Sequence, residues 1–325
     1  MNKQILLIGA GQLGSRHLQG LLKQTVKILT IYVLDPSPES QKVAKLRAEE
    51  IVHPHAIHYM IGWEKLPYYF DIAIIATNAN IREEIVIQLL TNHQIRYLIL
   101  EKVLFQNLEA FKIIGDLIEK KKVSTWVNHP RRLFDSYIKL KQKLNVDSAK
   151  VYQISGGNWG LGCNGLHFID LILFLSGSIL LSLDAEWIDA EVLESKRKGF
   201  VEFTGTIKGR LQDGSIFFIT SLHGQPSAIT LTVFDANDRY FVQEGGTPKI
   251  YNMTVDHEFK LEENSFTIEY QSSLTTTVID QLLKTGICGL PTFMEATSPH
   301  KLFISALIDK YNSITGNTTK YLPIT

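Results

Sequence analysis

The sequence predicts an α/β domain built on a doubly wound parallel sheet, followed by an α+β domain with a large, mostly antiparallel open sheet. Three observations carry this. Short apolar runs alternate with helical patterns through the first part of the chain, a glycine-rich hexapeptide joins the first run to the first helix, and the later chain turns to β-rich segments linked by turn signals. At 325 residues there is room for two domains, each burying a core of its own.

Ile5-Leu6-Leu7-Ile8 is a continuous apolar run ending at Gly9, and Leu18, Leu21 and Leu22 follow at helical spacing within Ser15 to Lys23. That reads as strand, tight turn, helix. The alternation continues with a strand over Ile28 to Leu34, a helix over Glu39 to Glu50, a strand over Ile72 to Ala76 and a helix over Arg82 to Thr91. A strand over Tyr97 to Leu100 and a helix over Leu108 to Lys121 complete the series. The texture changes near Val123, which sets the domains at 1–123 and 124–325. A further strand (Ser124 to Val127) and helix (Arg132 to Leu144) come first. Val201 to Lys208 then pairs with Ile216 to Leu222 around Asp213-Gly214, and Ile229 to Phe234 with Tyr240 to Gln243, as hairpins. Helices over about Thr276 to Lys284 and Pro299 to Tyr311 close the second domain.

Lys plus Arg and Asp plus Glu each number 33, so the basic excess that phosphate-backbone binding needs is missing and no nucleic-acid partner is expected. Two cysteines, Cys163 and Cys288, build neither a disulfide framework nor a multi-cysteine zinc site, which fits a reducing, cytoplasmic setting. The N-terminal residues run straight into an apolar stretch and a glycine turn, unlike an export signal. Ile169 to Leu183 is broken by Asp170 and by small polar residues, so no membrane span is expected. His53-Pro54-His55 with His58 lacks the companions of a metal site and reads as a loop entering a strand; no metal is expected.

Gly9-Ala10-Gly11-Gln12-Leu13-Gly14 is a GxGxxG between strand and helix. The first glycine makes the turn, the second lets backbone approach a pyrophosphate, and the third lets helix and strand pack closely. The helix start then offers N–H groups to the phosphates. Asp35 ends the second strand, where a carboxylate accepts from the adenosine ribose and repels a 2′-phosphate. The first domain is therefore read as a Rossmann domain that prefers NAD, with NADP the alternative. Asp35 also reads as a simple turn residue ahead of Pro36.

With these pieces the chain resembles the Gfo/Idh/MocA family of oxidoreductases, on four further segments spread over nearly its whole length. Ala76-Thr77-Asn78 resembles the family's turn against the cofactor ribose. Glu101-Lys102-Val103 resembles its Glu-Lys-Pro, which implies that Glu101 and Lys102 contact the nicotinamide ribose and that Lys102 meets the substrate hydroxyl; Val103 replaces the proline. Val127-Asn128-His129-Pro130-Arg131-Arg132 resembles its Asn-x-x-Arg stretch, which implies Asn128 beside the nicotinamide. Gly165-Leu166-His167-Phe168-Ile169-Asp170 resembles its Gly-x-His-x-x-Asp. Many members carry an aspartate four residues before that histidine, where this chain has Cys163.

His167 and Asp170 lie three apart and share a helical face. Lys102 is the first candidate for the acid/base that handles the alcohol proton, and His167 the second, since imidazole titrates near neutrality without help. Asp170 is expected to accept from a neighbouring substrate hydroxyl. Trp159, after Gly156-Gly157-Asn158, lines the pocket floor or packs under a loop, and Cys163 is a pocket-lining thiol. Lys102 as a solvated strand-end lysine, and His167 with Asp170 as a satisfied polar pair, are the structural alternatives. The resemblance implies a dehydrogenase or reductase of a small polar substrate, a carbohydrate or cyclic polyol, in a homodimer or homotetramer paired through the open sheet. A non-catalytic dinucleotide-binding sensor of the same fold is the competing class.

Overall fold

The computed structural model describes residues 2–145, 147–224 and 226–325. Lys3–Ile8 forms β1, Gly14–Leu22 α1, Leu29–Leu34 β2, Pro38–Glu49 α2 and Ala56–Met60 β3. Tyr69–Ile75 forms β4, Ala79–Asn92 α3, Gln94–Glu101 β5, Glu109–Lys121 α4 and Ser124–Asn128 β6. The six strands make one parallel sheet in the order β3-β2-β1-β4-β5-β6. Helices cover both faces of such a sheet, so its central strands are apolar without alternation. Ile5 to Leu7 and Ile72 to Ile75 are accordingly fully buried. The sheet order reverses between β1 and β4, which opens the crevice where doubly wound folds take ligands.

After a 3-10 turn over Pro130–Leu133 come α5 (Asp135–Lys143), β7 (Val151–Gly157), α6 (Leu161–Ser176), β8 (Leu180–Asp184), β9 (Leu193–Glu194) and β10 (Val201–Glu202). Then follow β11 (Gly205–Leu211), β12 (Ile216–Leu222), β13 (Ser227–Phe234), β14 (Arg239–Gln243), β15 (Lys249–Met253), β16 (Glu262–Ser265), α7 (Gln271–Thr285) and α8 (Phe293–Thr315). Eight strands form a second sheet in the order β16-β15-β14-β13-β7-β12-β11-β8, antiparallel except for β7 against β12. Both expected hairpins are present. The strand expected over Val201 to Lys208 is broken at Phe203-Thr204 and resumes at Gly205, whose φ is +102° and whose missing Cβ would lie 2.5 Å from the Trp187 carbonyl oxygen. Tyr152, Ile154, Ile207, Phe217, Ile219, Leu231 and Val233 alternate inward to form the buried face.

The chain divides into two compact units. The first holds Met1–Phe105, Glu109–Pro130 and Glu269–Ala296; the second holds Gln106–Leu108, Arg131–Ile268 and Thr297–Thr325. A boundary at 123 cuts the first unit short on two counts. β6 is hydrogen-bonded to β5 from Tyr97↔Ser124 to Glu101↔Asn128, so it completes the parallel sheet. α7, expected with the second domain, packs instead on α1, because Gly20 lets the two backbones close up. A Cβ there would stand 2.4 Å from the Ser272 carbonyl oxygen. Among the described residues no helix is long and apolar enough to cross a membrane.

Candidate functional site

The glycine loop lies at the β1/β4 reversal and its three glycines do different work. Gly9 has φ +93°, and a Cβ on it would stand 2.9 Å from both the carbonyl carbon and oxygen of Ala76, so the loops after β1 and β4 meet there. At Gly14 a Cβ would fall 1.8 Å from the Gly9 carbonyl oxygen, which fixes α1 against the turn. No protein atom lies within 4 Å of a Cβ placed on Gly11. That open approach suits a pyrophosphate, and α1 begins without a side-chain cap on its N–H groups.

Asp35 holds a turn and also braces the glycine loop. One carboxylate oxygen accepts from the Ser37 backbone N–H at 2.8 Å, the turn ahead of α2; the other accepts from Ala10 N–H at 2.7 Å and ties β2 to the glycine loop. Gln12 and Leu13 lie between the second and third glycines, and the Gln12 carbonyl and side chain take bonds from Arg47. A cavity of about 380 Å³ is lined by Gly9, Gly11, Asp35, Trp63, Thr77 and Asn78, among others. Trp63 lies beyond β3, with no local motif to single it out.

Thr77 and Asn78 follow β4, and Glu101 and Lys102 end β5. Between these turns sits Arg82, 1% exposed on α3, donating to the carbonyls of Thr77 and Val103 and, at 3.2 Å, to that of Leu104. The arginine pins the two turns together, a role that helical periodicity gives no hint of. The Lys102–Val103 peptide is cis. Glu101 and Asn128 are each 3% exposed and joined directly, the Asn128 amide donating to Glu101 Oε1 at 2.6 Å. His17 Nε2 lies 2.8 Å from the same oxygen, and His17 Nδ1 lies 2.9 Å from Thr275 Oγ1. Gln271 closes a ring, accepting from Asn128 at 3.2 Å and donating to Thr275 Oγ1 at 3.2 Å. His17, Arg82, Gln271 and Thr275 were all missed by motif reading.

In the second unit α6 carries Cys163, His167 and Asp170. Its start is capped by Glu202, which accepts from the N–H groups of Gly162 at 2.8 Å and Cys163 at 3.0 Å, an anion where the helix dipole favours one. Trp159 donates its indole N–H to the Thr220 carbonyl at 2.9 Å and stands edge-on to Phe168. Trp159, Cys163, Asn164, Arg197 and Glu202 line part of a cavity of about 390 Å³, so Trp159 both packs and faces a pocket. His167 is 9% exposed. Asp170 departs from expectation: Arg132 grips both its oxygens, Nε at 2.9 Å and Nη2 at 2.6 Å, so the carboxylate serves a buried ion pair rather than an open hydroxyl acceptor. The neighbouring Arg131 pairs with Glu244 at 2.9 Å and lies over the Phe168 ring.

His55 pins structure: its Nδ1 accepts from Leu29 N–H at 3.2 Å, its Nε2 meets the Gln24 carbonyl at 3.0 Å, and burial lowers its pKa. His58 stacks on Tyr32. Among the described residues no three His, Cys, Asp or Glu side chains gather as a metal site.

Residues 3–129 match the family described as an oxidoreductase family with an NAD-binding Rossmann fold, GFO_IDH_MocA. No curated protein matches the chain by sequence. Among solved structures, levoglucosan dehydrogenase in complex with NADH is 14% identical, with 97% of this chain and 98% of that one covered and a TM-score of 0.73. UDP-N-acetylglucosamine 3-dehydrogenase GnnA from Acidithiobacillus ferrooxidans is 13% identical, covering 94% and 96%, with a TM-score of 0.70. A super-repressor mutant of Gal80p from Saccharomyces cerevisiae is 13% identical, covering 96% and 97%, with a TM-score of 0.73. At such identities these likenesses are of fold. Family match, glycine turn and strand-end residues agree: residues 3–129 match the model of the Gfo/Idh/MocA oxidoreductase family and form an NAD-binding Rossmann fold.

Proposed function

We propose that the chain is an NAD(H)-dependent dehydrogenase or reductase acting on a hydroxyl or ketone of a sugar, a sugar derivative or a cyclic polyol. One observation carries the reading. Gly9 to Gly14, Thr77, Glu101, Lys102 and Asn128 all stand at the carboxyl ends of parallel strands, the edge at which doubly wound sheets hold their ligands. A dinucleotide suits this edge, since Gly11 leaves room for a pyrophosphate and Asp35 supplies a carboxylate for a ribose. The nicotinamide, when bound, supplies or takes the hydride.

What the chain itself contributes is the proton and the orientation of the reactants. Lys102 is the first acid/base candidate and His167 the second. Glu101 and Asn128 belong to the cofactor side, while Trp159 and Cys163 contact the substrate. The two sugar dehydrogenases among the structural neighbours support a carbohydrate as substrate. Leu181, Trp187, Leu222 and Phe241, exposed on strands of the large sheet or close by, support a homodimer or homotetramer. We place the protein in the cytoplasm, with NAD preferred over NADP.

The test is a titration of the purified protein with NADH and NADPH, then turnover against sugars, keto-sugars and nucleotide sugars, with Lys102→Ala alongside. Turnover reduced by roughly a hundredfold or more in the variant supports the assignment. A second reading, a dinucleotide-binding regulator, draws on the Gal80p fold neighbour and on Cys163 where many family members carry aspartate. It predicts NADH binding without turnover and no effect of Lys102→Ala.

A further inference from the structure

The hydrogen-bond ring around Glu101 is more than packing, because its hydrogens can be counted. The Thr275 hydroxyl has one hydrogen and two neighbours that can take it, the Gln271 carbonyl at 2.8 Å and His17 Nδ1 at 2.9 Å. If it goes to the carbonyl, Nδ1 donates to Oγ1; if it goes to Nδ1, the imidazole carries its hydrogen on Nε2. Either way a hydrogen lies between His17 Nε2 and Glu101 Oε1, which stand 2.8 Å apart. Asn128 donates to that same Oε1. His17 and Asn128 thus both engage one oxygen of Glu101, and among the described residues no bond falls on Oε2. The carboxylate is held with one oxygen spent inward and the other left to accept from a ligand.

The geometry that permits this comes from α7. Gly20 lies three residues after His17 on the same face of α1, and a Cβ on Gly20 would stand 2.6 Å from Thr275 Cβ. The close approach brings Thr275 under the imidazole, and the Thr276 hydroxyl donating to the Gly20 carbonyl at 2.8 Å locks the helices in register. His17, Glu101, Asn128 and Thr275 are each no more than 3% exposed, so rotation of any one leaves a buried polar group without its partner.

We propose that His17, Thr275 and Gln271 are positioning residues for the cofactor side of the site. They orient Glu101, and through it the end of β5 that carries Lys102, so that Oε2 meets a ribose hydroxyl of the dinucleotide. A helix near the end of the chain thereby tunes the nucleotide affinity of the glycine-loop domain. The proposal rests on the NAD(H)-dependent reading above.

The experiment compares wild type, Thr275→Val, Thr275→Ser and Gln271→Leu for NADH affinity, by calorimetric titration, and for melting temperature. Valine nearly matches threonine in volume but cannot hydrogen-bond to Nδ1. Thr275→Val should weaken NADH binding roughly tenfold, the scale of one lost buried hydrogen bond, while Thr275→Ser restores it. Should Thr275→Val fail to fold, Gln271→Leu, half-buried in the same ring, carries the test with the same expected direction. Variants that melt lower yet bind NADH within twofold of wild type overturn the proposal and leave the ring a structural feature. A folded wild type that binds no NADH overturns the functional reading, and the proposal with it.

Discussion

Substituting alanine at Gly14 and at Gly11 separates what the glycine loop does for the fold from what it does for a ligand. At Gly14 the new methyl would start 1.8 Å from the Gly9 carbonyl oxygen, and ordinary contact begins at 3.4 Å. The obstacle is backbone and cannot swing aside. The start of α1 must therefore retreat by roughly 1.5 Å, an overpacking that costs about 1–3 kcal/mol. At about 2–4 °C per kcal/mol for a domain of this size, the melting point should fall by several degrees. Gly11→Ala places its methyl where no protein atom lies within 4 Å and where φ is not in the left-handed region, so the melting point should hold. NADH affinity should nevertheless drop about 10- to 100-fold, about 1.4–2.8 kcal/mol, because the methyl takes the space a pyrophosphate needs. Differential scanning fluorimetry and NADH titration read the two quantities separately. A Gly11→Ala protein that binds NADH like wild type would refute the assignment of that space; equal melting points for both variants would refute the packing argument.

Two further outcomes follow from the geometry. Burial pushes the Cys288 thiol up to about 11, so its alkylation by iodoacetamide at pH 8 should run about 100-fold slower than that of an ordinary thiol. A raised value means the thiolate appears only at high pH, so the rate should still climb tenfold per unit beyond pH 9; a plateau near 9, by peptide mass mapping of the labelled site, contradicts this. Arg132→Ala should cost about 3–5 kcal/mol in urea unfolding, since it takes the two-pronged guanidinium contact from an Asp170 carboxylate that is 7% exposed, and Asp170→Asn should cost less. A loss under about 1 kcal/mol for Arg132→Ala would mean that the pair is a surface-like bridge.

Much of the first sheet was legible because each strand is an apolar run set off by a helical pattern, and the glycines between β1 and α1 name their own purpose. Ala56–Met60 was legible only as the strand that the His53-Pro54-His55 loop enters, without bounds. As an edge strand it buries little, and its His58 and Tyr59 carry no apolar run to announce it. At the site, the residues that sequence could propose, Asp35, Glu101, Lys102, Asn128 and His167, all lie in motifs. Residues that act by reaching across space do not. Arg82 sits in the first turn of α3 and looks like a solvated charge until its carbonyl partners are seen. Glu202, on a two-residue strand, caps a helix that begins some forty residues earlier in the chain. Asp170 was read as facing a ligand because its spacing from His167 fixes a helical face, yet spacing says nothing of what else lies on that face, which here is Arg132.

The same limit explains the domain boundary. Composition changes near residue 123 because the chain stops building βα pairs, but the parallel sheet still needs its last strand and α1 still has a face to cover. β6 meets the first need, with Trp126 bridged to Thr292 and Val127 N–H donating to the Pro291 carbonyl at 2.9 Å. α7 meets the second, and its register on α1 is set at Gly20, by the absent side chain and by the Thr276 hydroxyl on the Gly20 carbonyl. Residues 269–296 therefore serve the glycine-loop unit although they are separated from it by the whole of the large sheet. A stretch of chain with that placement has a reason to be there beyond covering apolar surface, since covering alone would be met by any amphipathic helix. It delivers Thr275 and Gln271 to the buried carboxylate at the end of β5, where their hydroxyl and amide decide which Glu101 oxygen faces outward.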